Sequence, residues 1–482
     1  MKLFNTLGRK KEEFKLMPGG KEVKIYSCGP TVYSSPTIGN MRAYIFVDVL
    51  KRTLEMKGFS VKDVMNITDV GHLQSDGDEG EDKVEVAARK AKITASEVAT
   101  RYTDEFFRFC DMLNIRRSSI VAPATKYIDK MVEHIKELEA KGLTYLASDG
   151  LYFDSSKFEK YYALSGKKPN AKDSKKGVGD KAGARVSMSE KRNSNDFCLW
   201  RRTPSTALQK WDSPWGVGVP GWHIECSVIA RAELGDTIDI HTGGVDHVAV
   251  NHTNEIAQSE SLTGKPFSRF WLHNEFIMID GGKMSKSLGN VYTVDDIVAK
   301  GYSPLSFRYL VLQSHYRSIM NFTWESVKAA DTAYKNLVKE LSRHKTDLVR
   351  TNQIVLDKAK KEFQESLIDD LNTAKGLAVV WELLKKTPCA LVFDLVLELD
   401  KVLGLGLENA VEEYLAWKNE KKEAGNNVKI PAVVKKMADA RMEAKARKDW
   451  AVADKLREEI RILGYEVVDV SGGYEIKTKQ QN

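Results

Sequence analysis

The stretch from Lys24 to Arg42, KIYSCGPTVYSSPTIGNMR, restricts what this chain can become more than any other. A short apolar run, Ile25 and Tyr26, breaks at Cys28-Gly29-Pro30, and order resumes at Ile38-Gly39-Asn40. From there Ala43, Phe46, Val47, Leu50 and Leu54 recur at helical spacing and stop before Gly58. A strand, a glycine-bearing loop and a helix N-terminus in succession form a phosphate cradle. Free backbone N–H groups and the positive end of the helix dipole point at one spot. Cys28 falls at the strand's carboxyl end, where open α/β sheets hold ligands. An ordinary strand–turn–helix with a buried thiol would read the same way over this segment alone.

The next strand is expected over 61–67, so a right-handed parallel unit begins here. The acidic residues Asp76, Asp78, Glu79, Glu81 and Asp82 lack a spaced ligand pattern and read as a solvated loop. Helices are expected over about 84–114, with Phe106, Phe107, Phe109 and Met112 as core, and over about 125–141. A hairpin over 143–153 turns at Asp149-Gly150, and 166–183 reads as a basic loop. Trp200, Trp211, Trp215 and Trp222 belong to a core or a pocket. GWHIECS then opens a helix to about Leu234, followed by a strand over 237–241, the loop HTGGVDH and a helix over 251–261. A strand over 269–279 empties into GGKMSKSLGN. Beyond Asn321 long helices dominate to Leu403, a charged segment over 418–429 interrupts, and a basic helix pair precedes a hairpin over 465–477.

Length matters because 482 residues allow several domains, each with its own core. The 74 basic and 67 acidic residues leave +7, a surplus that permits a polyanionic partner. Cys28, Cys110, Cys198, Cys226 and Cys389 are sparse, odd in number and widely spaced, which excludes a disulfide framework and fits a reducing compartment. The first sixteen residues carry no apolar signal core, and no apolar run approaches ~20 residues, so a cytoplasmic chain outside the membrane is expected.

Lys283–Ser287, KMSKS, places two lysines and two hydroxyls behind Gly281-Gly282. A mobile cationic loop suits a leaving triphosphate, because it can stabilise charge that develops only in the transition state. TIGN and KMSKS together resemble the paired nucleotide motifs of class I aminoacyl-tRNA synthetases. CGPTVY, NITDVGH, GWHIECS, HTGGVDH, NHTNEIAQSE and KMSKSLGN, in that order, resemble the cysteinyl-tRNA synthetase family, and the likeness runs through Asp369-Asp370-Leu371-Asn372 to KDWAVADKLREEI.

The resemblance implies a Rossmann-like parallel-sheet catalytic domain over 1–320, with an insertion at about 116–202 and the KMSKS loop at 283–287. An α-helical bundle over 321–405 and a small C-terminal domain over 406–482 would follow, reading tRNA. It implies ATP-dependent ligation of L-cysteine to tRNA(Cys), with Mg2+ accompanying ATP, in a chain expected to be a monomer. Thr37, Asn40, Lys283 and Lys286 are the expected catalytic residues. Thr37, Gly39, Asn40, Gly243, Gly244, Asp246 and Lys286 would hold ATP. Cys28, Gly29, Thr31, Thr68 and Trp222 would receive cysteine. One zinc ion would select the substrate sulfur, held by Cys28, Cys226 and Glu255. The family's fourth ligand is a histidine where this chain has Asn251, so either adjacent His252 rotates in, or a water fills the position and His252 is structural, or the zinc is weak or absent. The first motif also departs, with Thr37 where the family has histidine; a hydroxyl can donate to a phosphate or ribose oxygen but carries no charge. His223 and His241 could be structural. Lys435, Lys436, Arg441, Lys445, Arg447 and Lys448 offer phosphate contacts. Two alternatives stand beside this reading: a ligase joining cysteine to a small amine, and a tRNA-binding paralogue impaired in catalysis.

Overall fold

A computed structural model describes residues 1–70, 83–166, 190–285, 288–349, 352–426, 430–470 and 473–478. The expected acidic loop, nearly all of the basic loop, and Lys286 and Ser287 lie outside the described residues. Internal contacts divide the chain into two compact units, Met1–Glu408 and Asn409–Asn482.

The first unit opens with an antiparallel hairpin, β1 (Lys2–Asn5) and β2 (Lys10–Glu13). β3 (Val23–Ser27), α1 (Ile38–Met56) and β4 (Val61–Ile67) follow. α1 starts where its sequence caps it. Thr37 Oγ1 accepts the Asn40 backbone N–H at 3.2 Å, and Asn40 Oδ1 accepts the Thr37 N–H at 2.9 Å. This reciprocal cap satisfies two otherwise orphaned groups. Phe46, Leu50 and Leu54 then pack on Val23 and Ile25.

The single helix expected over 84–114 is two, α2 (Lys83–Ala91) and α3 (Ala95–Met112). Lys92 takes φ 57°, and Thr94 starts a new helix through a reciprocal cap with Glu97. Phe106 and Phe109 are buried, whereas Phe107 and Met112 are only half-buried.

β5 (Ile120–Pro123) pairs in parallel with β4. The expected insertion therefore begins too early at 116, because its first strand completes the main sheet. After α4 (Ile128–Ala140), β6 (Thr144–Ala147), β7 (Gly150–Phe153), β8 (Phe197–Arg202) and β9 (Gly218–Pro220) form a separate antiparallel sheet that also passes the expected end at 202.

α5 (Ile224–Leu234), β10 (Ile238–Gly244), α6 (Asn251–Thr263) and β11 (Ser268–Asn274) return to the main sheet, whose order is β11-β10-β3-β4-β5, all parallel. The chain winds one way from β3 to β5 and the other way from β10 to β11. It reverses between β3 and β10, and crevices at such a reversal hold ligands. β10 outruns the expected strand because Gly243 and Gly244 pair with His273 and Asn274.

The strand expected over 269–279 breaks at Glu275-Phe276. β12 (Ile277–Ile279) joins β13 (Gly282–Lys283) and, after α7 (Val294–Ala299) and α8 (Pro304–Leu312), β14 (Met320–Phe322). The helices α9 (Trp324–Ser342), α10 (Gln353–Ile368), α11 (Thr373–Leu384) and α12 (Ala390–Leu403) come next. A buried charge hub ties this unit together. Asp48 on α1 meets Arg308 Nη2 at 2.6 Å and Arg52 Nε at 2.8 Å, while Arg308 also donates to the carbonyls of Leu113 and Leu403.

α13 (Leu407–Asn426) takes in 418–426 of the segment expected to interrupt, since lysine and glutamate are good helix formers, and 427–429 lie outside the described residues. In the second unit α14 (Ala432–Ala446), α15 (Trp450–Ile462), β15 (Tyr465–Val470) and β16 (Gly473–Thr478) close on Val434, Ala438, Ile460 and Val467. Arg441 and Lys445 both pair with Asp469, so these two are not free phosphate contacts; Lys435, Lys436, Arg447 and Lys448 are exposed. Among the described residues no helix is long and apolar enough to cross a membrane.

Candidate functional site

Four of the five residues expected to receive cysteine, Cys28, Gly29, Thr31 and Thr68, lie at the carboxyl ends of β3 and β4. Cys28 leaves the strand with its N–H on Thr242 O of β10 at 3.3 Å. Gly29 donates to Asn66 Oδ1 at 2.8 Å, and a Cβ there would stand 1.6 Å from Asn66 O, so only glycine fits. Thr31 and Thr68 form an isolated parallel bridge, and Thr68 Oγ1 donates to Glu225 Oε2 at 2.8 Å. Trp222, just before α5, stacks on His223 at 5.7 Å, and Lys83 Nζ lies 6.0 Å over its ring.

A donor cluster fills the reversal between β3 and β10. One ligand atom from each of Cys28, His241, His252 and Glu255 lies within 4.8 Å of the others. The Cys226 thiol donates to Cys28, holding the Cys28 pKa well below its ordinary value and raising that of Cys226. Cys226 thus lies beside Cys28, but it is not among the four residues whose ligand atoms lie mutually within 4.8 Å, where His241 stands instead of the expected second cysteine. His241 Nε2 lies 2.8 Å from Glu255 Oε2. Burial lifts the Glu255 carboxyl to about 7, with His241 opposing, and burial pushes His252 down to about 3. A buried set of soft and borderline donors that close together suits a zinc-sized cation, whose bonds of ~2.0–2.3 Å set its ligands ~3.5 Å apart.

His241, His247 and His273 were missed as parts of this centre. His247 also bonds Cys28, which raises it to about 9 against the burial that lowers it. The available signal was local density, since His241, His247 and His252 fall within one short stretch, 241–252. No sequence signal marks His273 on β11.

Space is also tight on the nucleotide side, at Gly243 against buried imidazole and at Gly244 against a movable carboxylate. A Cβ at Gly243 would stand 2.6 Å from His252 Cε1, and one at Gly244 would stand 2.2 Å from Asp246 Oδ1. Asp246 itself is exposed. The two signature motifs touch. Met284 Cε lies 3.5 Å from the Cβ position of Gly39, and the Ile38 N–H donates to Tyr292 O at 2.9 Å. Thr37 Oγ1 donates its one proton to Asn40 Oδ1 at 2.8 Å, so both residues are engaged in the helix cap. Lys283 is exposed on β13.

Comparison with known proteins agrees with this arrangement. Residues 15–332 match the model of the tRNA synthetases class I (C) catalytic domain, and residues 362–388 match the DALR domain. A cysteine–tRNA ligase of Treponema denticola is 41% identical over 98% of this chain and 98% of its own length. Cysteine–tRNA ligase 1 of Burkholderia lata is 40% identical over 98% of this chain and 95% of its own. At the level of fold, Mycobacterium tuberculosis methionyl-tRNA synthetase in complex with methionyl-adenylate covers 81% of this chain and 93% of its own, with a TM-score of 0.57 at 16% identity. A ternary LeuRS–tRNA–LeuAMS complex from Agrobacterium radiobacter K84 reaches 0.58 at 12% identity, covering 84% of this chain and 86% of its own. Ordered motifs, the parallel sheet and near full-length identity converge: the chain belongs to the cysteine–tRNA ligase family, built on a class I tRNA synthetase catalytic domain.

Proposed function

We propose that the protein joins L-cysteine to tRNA(Cys) in an ATP-dependent reaction through a cysteinyl-adenylate. The observation that carries this reading is the cluster of thiol, imidazole and carboxylate, with a second thiol beside it, at the sheet reversal from which the first nucleotide motif departs.

A carboxylate oxygen of cysteine attacks the α-phosphorus of Mg-ATP, the bond to the α,β-bridging oxygen breaks, and pyrophosphate leaves. A terminal ribose hydroxyl of the tRNA then attacks the activated carbonyl. The bond to AMP breaks, and the hydroxyl proton passes to solvent. No side chain forms a covalent intermediate, so positioning and charge stabilisation supply the rate. The N-terminus of α1, with Thr37, Gly39 and Asn40, receives phosphate oxygens. Gly243 and Gly244 let adenosine approach, and Asp246 takes a ribose hydroxyl or the substrate amine. Lys283 and Lys286 neutralise the departing pyrophosphate. Cys28, Gly29, Thr31, Thr68 and Trp222 line the cysteine pocket.

Cys28, Cys226 and Glu255 would hold a zinc ion, which when bound prefers the sulfur of cysteine to the oxygen of serine. Binding alone could then discriminate, without an editing site. We assign residues 1–320 to catalysis and 321–405 and 406–482 to tRNA, in a monomer of the cytoplasm. The exposed Lys435, Lys436, Arg447 and Lys448 support the last of these as a tRNA contact.

Two assays on the purified chain test the reading. Cysteine-dependent ATP–pyrophosphate exchange and cysteinylation of tRNA(Cys) are both expected, with serine inert. Exchange without acylation would move the acceptor to a small amine. Neither activity would leave a tRNA-binding paralogue, which Thr37 and Asn251 would then explain.

A further inference from the structure

Asn251 occupies the position where the family resemblance calls for an imidazole, and an amide is a poor zinc ligand. The next residue faces the cluster instead. His252 Nε2 lies 3.2 Å from Cys28 Sγ, close to the ~3.5 Å edge between two ligands of a tetrahedral zinc. His252 and Glu255 are three residues apart on α6, so they share a helix face.

The far side of the ring is also engaged. His252 Nδ1 lies 2.8 Å from His273 Nε2, and His273 Nδ1 lies 2.7 Å from Thr6 Oγ1. His252 is fully buried and His273 is 4% exposed. The N···N contact holds one proton. With that proton on His252 Nδ1, His273 accepts it at Nε2 and donates from Nδ1 to the threonine oxygen. The Nε2 lone pair of His252 is then left facing Cys28. In the reverse polarity the hydroxyl donates inward and Nε2–H points at the thiolate; a cation beside Cys28 repels that proton and selects the first. The ring has no freedom to turn away. It sits 4.4 Å from the His241 ring and 5.1 Å from Trp271, and its Cε1 lies 2.6 Å from where a Cβ at Gly243 would stand.

We infer that His252 Nε2 is the nitrogen donor of the metal centre in this chain, standing in for residue 251, and that His273 and Thr6 are positioning residues that fix its tautomer across β11 and the N-terminal hairpin. This rests on the metal site proposed above. It adds a relocated ligand and an outer pair that no functional motif contains.

The test is zinc content and zinc affinity, measured by chelator competition on the full chain, with the visible spectrum of the cobalt(II)-loaded protein as the coordination readout. The wild type and Asn251→Ala are expected to bind one zinc per chain with the same spectrum. His252→Ala is expected to lose at least ~100-fold in affinity and shift the cobalt bands. His273→Leu and Thr6→Val touch no metal yet should weaken binding ~10–100-fold, as loss of an outer-shell partner does. His273→Gln, which can still accept from His252, should recover most of that loss. Thermal melts of the metal-free variants separate misfolding from lost coordination. Wild-type affinity in His252→Ala, loss of zinc in Asn251→Ala alone, or a wild type without zinc would each overturn the inference. Cysteine-dependent exchange, run on the same samples, distinguishes the two ways of failing: exchange without zinc sinks the donor assignment but not the enzyme, and zinc without exchange does the reverse.

Discussion

Asn290 closes the KMSKS loop on itself. Its Oδ1 accepts the Ser285 N–H at 2.8 Å, and its Nδ2 donates to Lys283 O at 3.1 Å. One side chain thus fixes the backbone on which the first signature lysine rides, while Met284 packs against Gly39 of the facing motif. Asn290→Ala deletes both bonds. Each is worth ~0.5–1.5 kcal/mol net, and the site is partly solvated, so a combined loss of ~1–2 kcal/mol is expected. If the loop acts only on charge that develops in the transition state, the whole loss falls on rate, ~5–30-fold at ~1.4 kcal/mol per decade. In ATP–pyrophosphate exchange at saturating cysteine, kcat and kcat/KM for ATP should fall together by that factor. KM for cysteine should not move, because the two bonds that Asn290 would lose go to the KMSKS backbone and not to any residue proposed to receive cysteine. Asn290→Asp keeps an acceptor for Ser285 but sets a negative charge where pyrophosphate must leave, so it should fall below the alanine variant. An alanine variant exchanging within twofold of wild type, or one whose KM for cysteine rises by the same factor as kcat falls, would refute this reasoning.

Other consequences follow from single contacts. Asp48→Asn leaves Arg308 buried without its counter-charge, which should cost ~3–5 kcal/mol and appear as a lowered thermal midpoint. Burial pushes the Asp48 carboxyl up, but Arg308 and then Arg52 outweigh it and hold the pKa below its ordinary value. Its contribution is therefore complete above pH ~4 and is lost as pH falls through the depressed value; an acid titration of the thermal midpoint should lose that component in Asp48→Asn. Gly243→Ala drives a methyl to 2.6 Å from His252 Cε1 and 2.9 Å from His247 Nδ1, so it should lower zinc affinity and cost ~1–3 kcal/mol, read by metal analysis and a thermal melt. Thr37→Val removes the α1 cap, ~0.5–2 kcal/mol, and should slow exchange, whereas Thr37→Ser should retain both cap and rate.

Sequence pattern was most legible where local rules and tertiary demands agree. TIGN reads as a helix start because Thr37 and Asn40 cap each other regardless of context. The second cap, Thr94 with Glu97, carries a readable signature as well, yet the apolar spacing on either side hides the break at Lys92. The end of β10 was not legible. Glycines ordinarily signal a loop, and Gly243 and Gly244 became strand only because β11 offers them partners. The donor cluster was half legible for a similar reason. Cys28, Glu255 and His252 sit in recognisable motifs, but His273 enters through the pairing of β11 with β10, and Thr6 through a hairpin whose N–H bonds Trp271 O. Such contacts belong to strand order, which no local spacing encodes.

Strand order also decides which functions can fail separately. Ile25, Tyr26 and Ser27 lie opposite Ile240, His241 and Thr242, and this register sets Cys28 beside the cluster. The same backbone continues from Cys28 through Gly29 and Thr31 to the cap at Thr37. A one-residue slip of β3 against β10 would turn Cys28 to the other face and drag the first nucleotide motif with it. On the proposed reading, recognition of sulfur and placement of phosphate are therefore coupled through β3. The second motif is held from elsewhere, on β13 and by Asn290, and among the described residues it meets the first through Met284 and the neighbouring Tyr292. On that reading, damage to the β3 register must cost selection and activation together, whereas damage to the KMSKS loop can remove activation and leave a centre that still chooses sulfur.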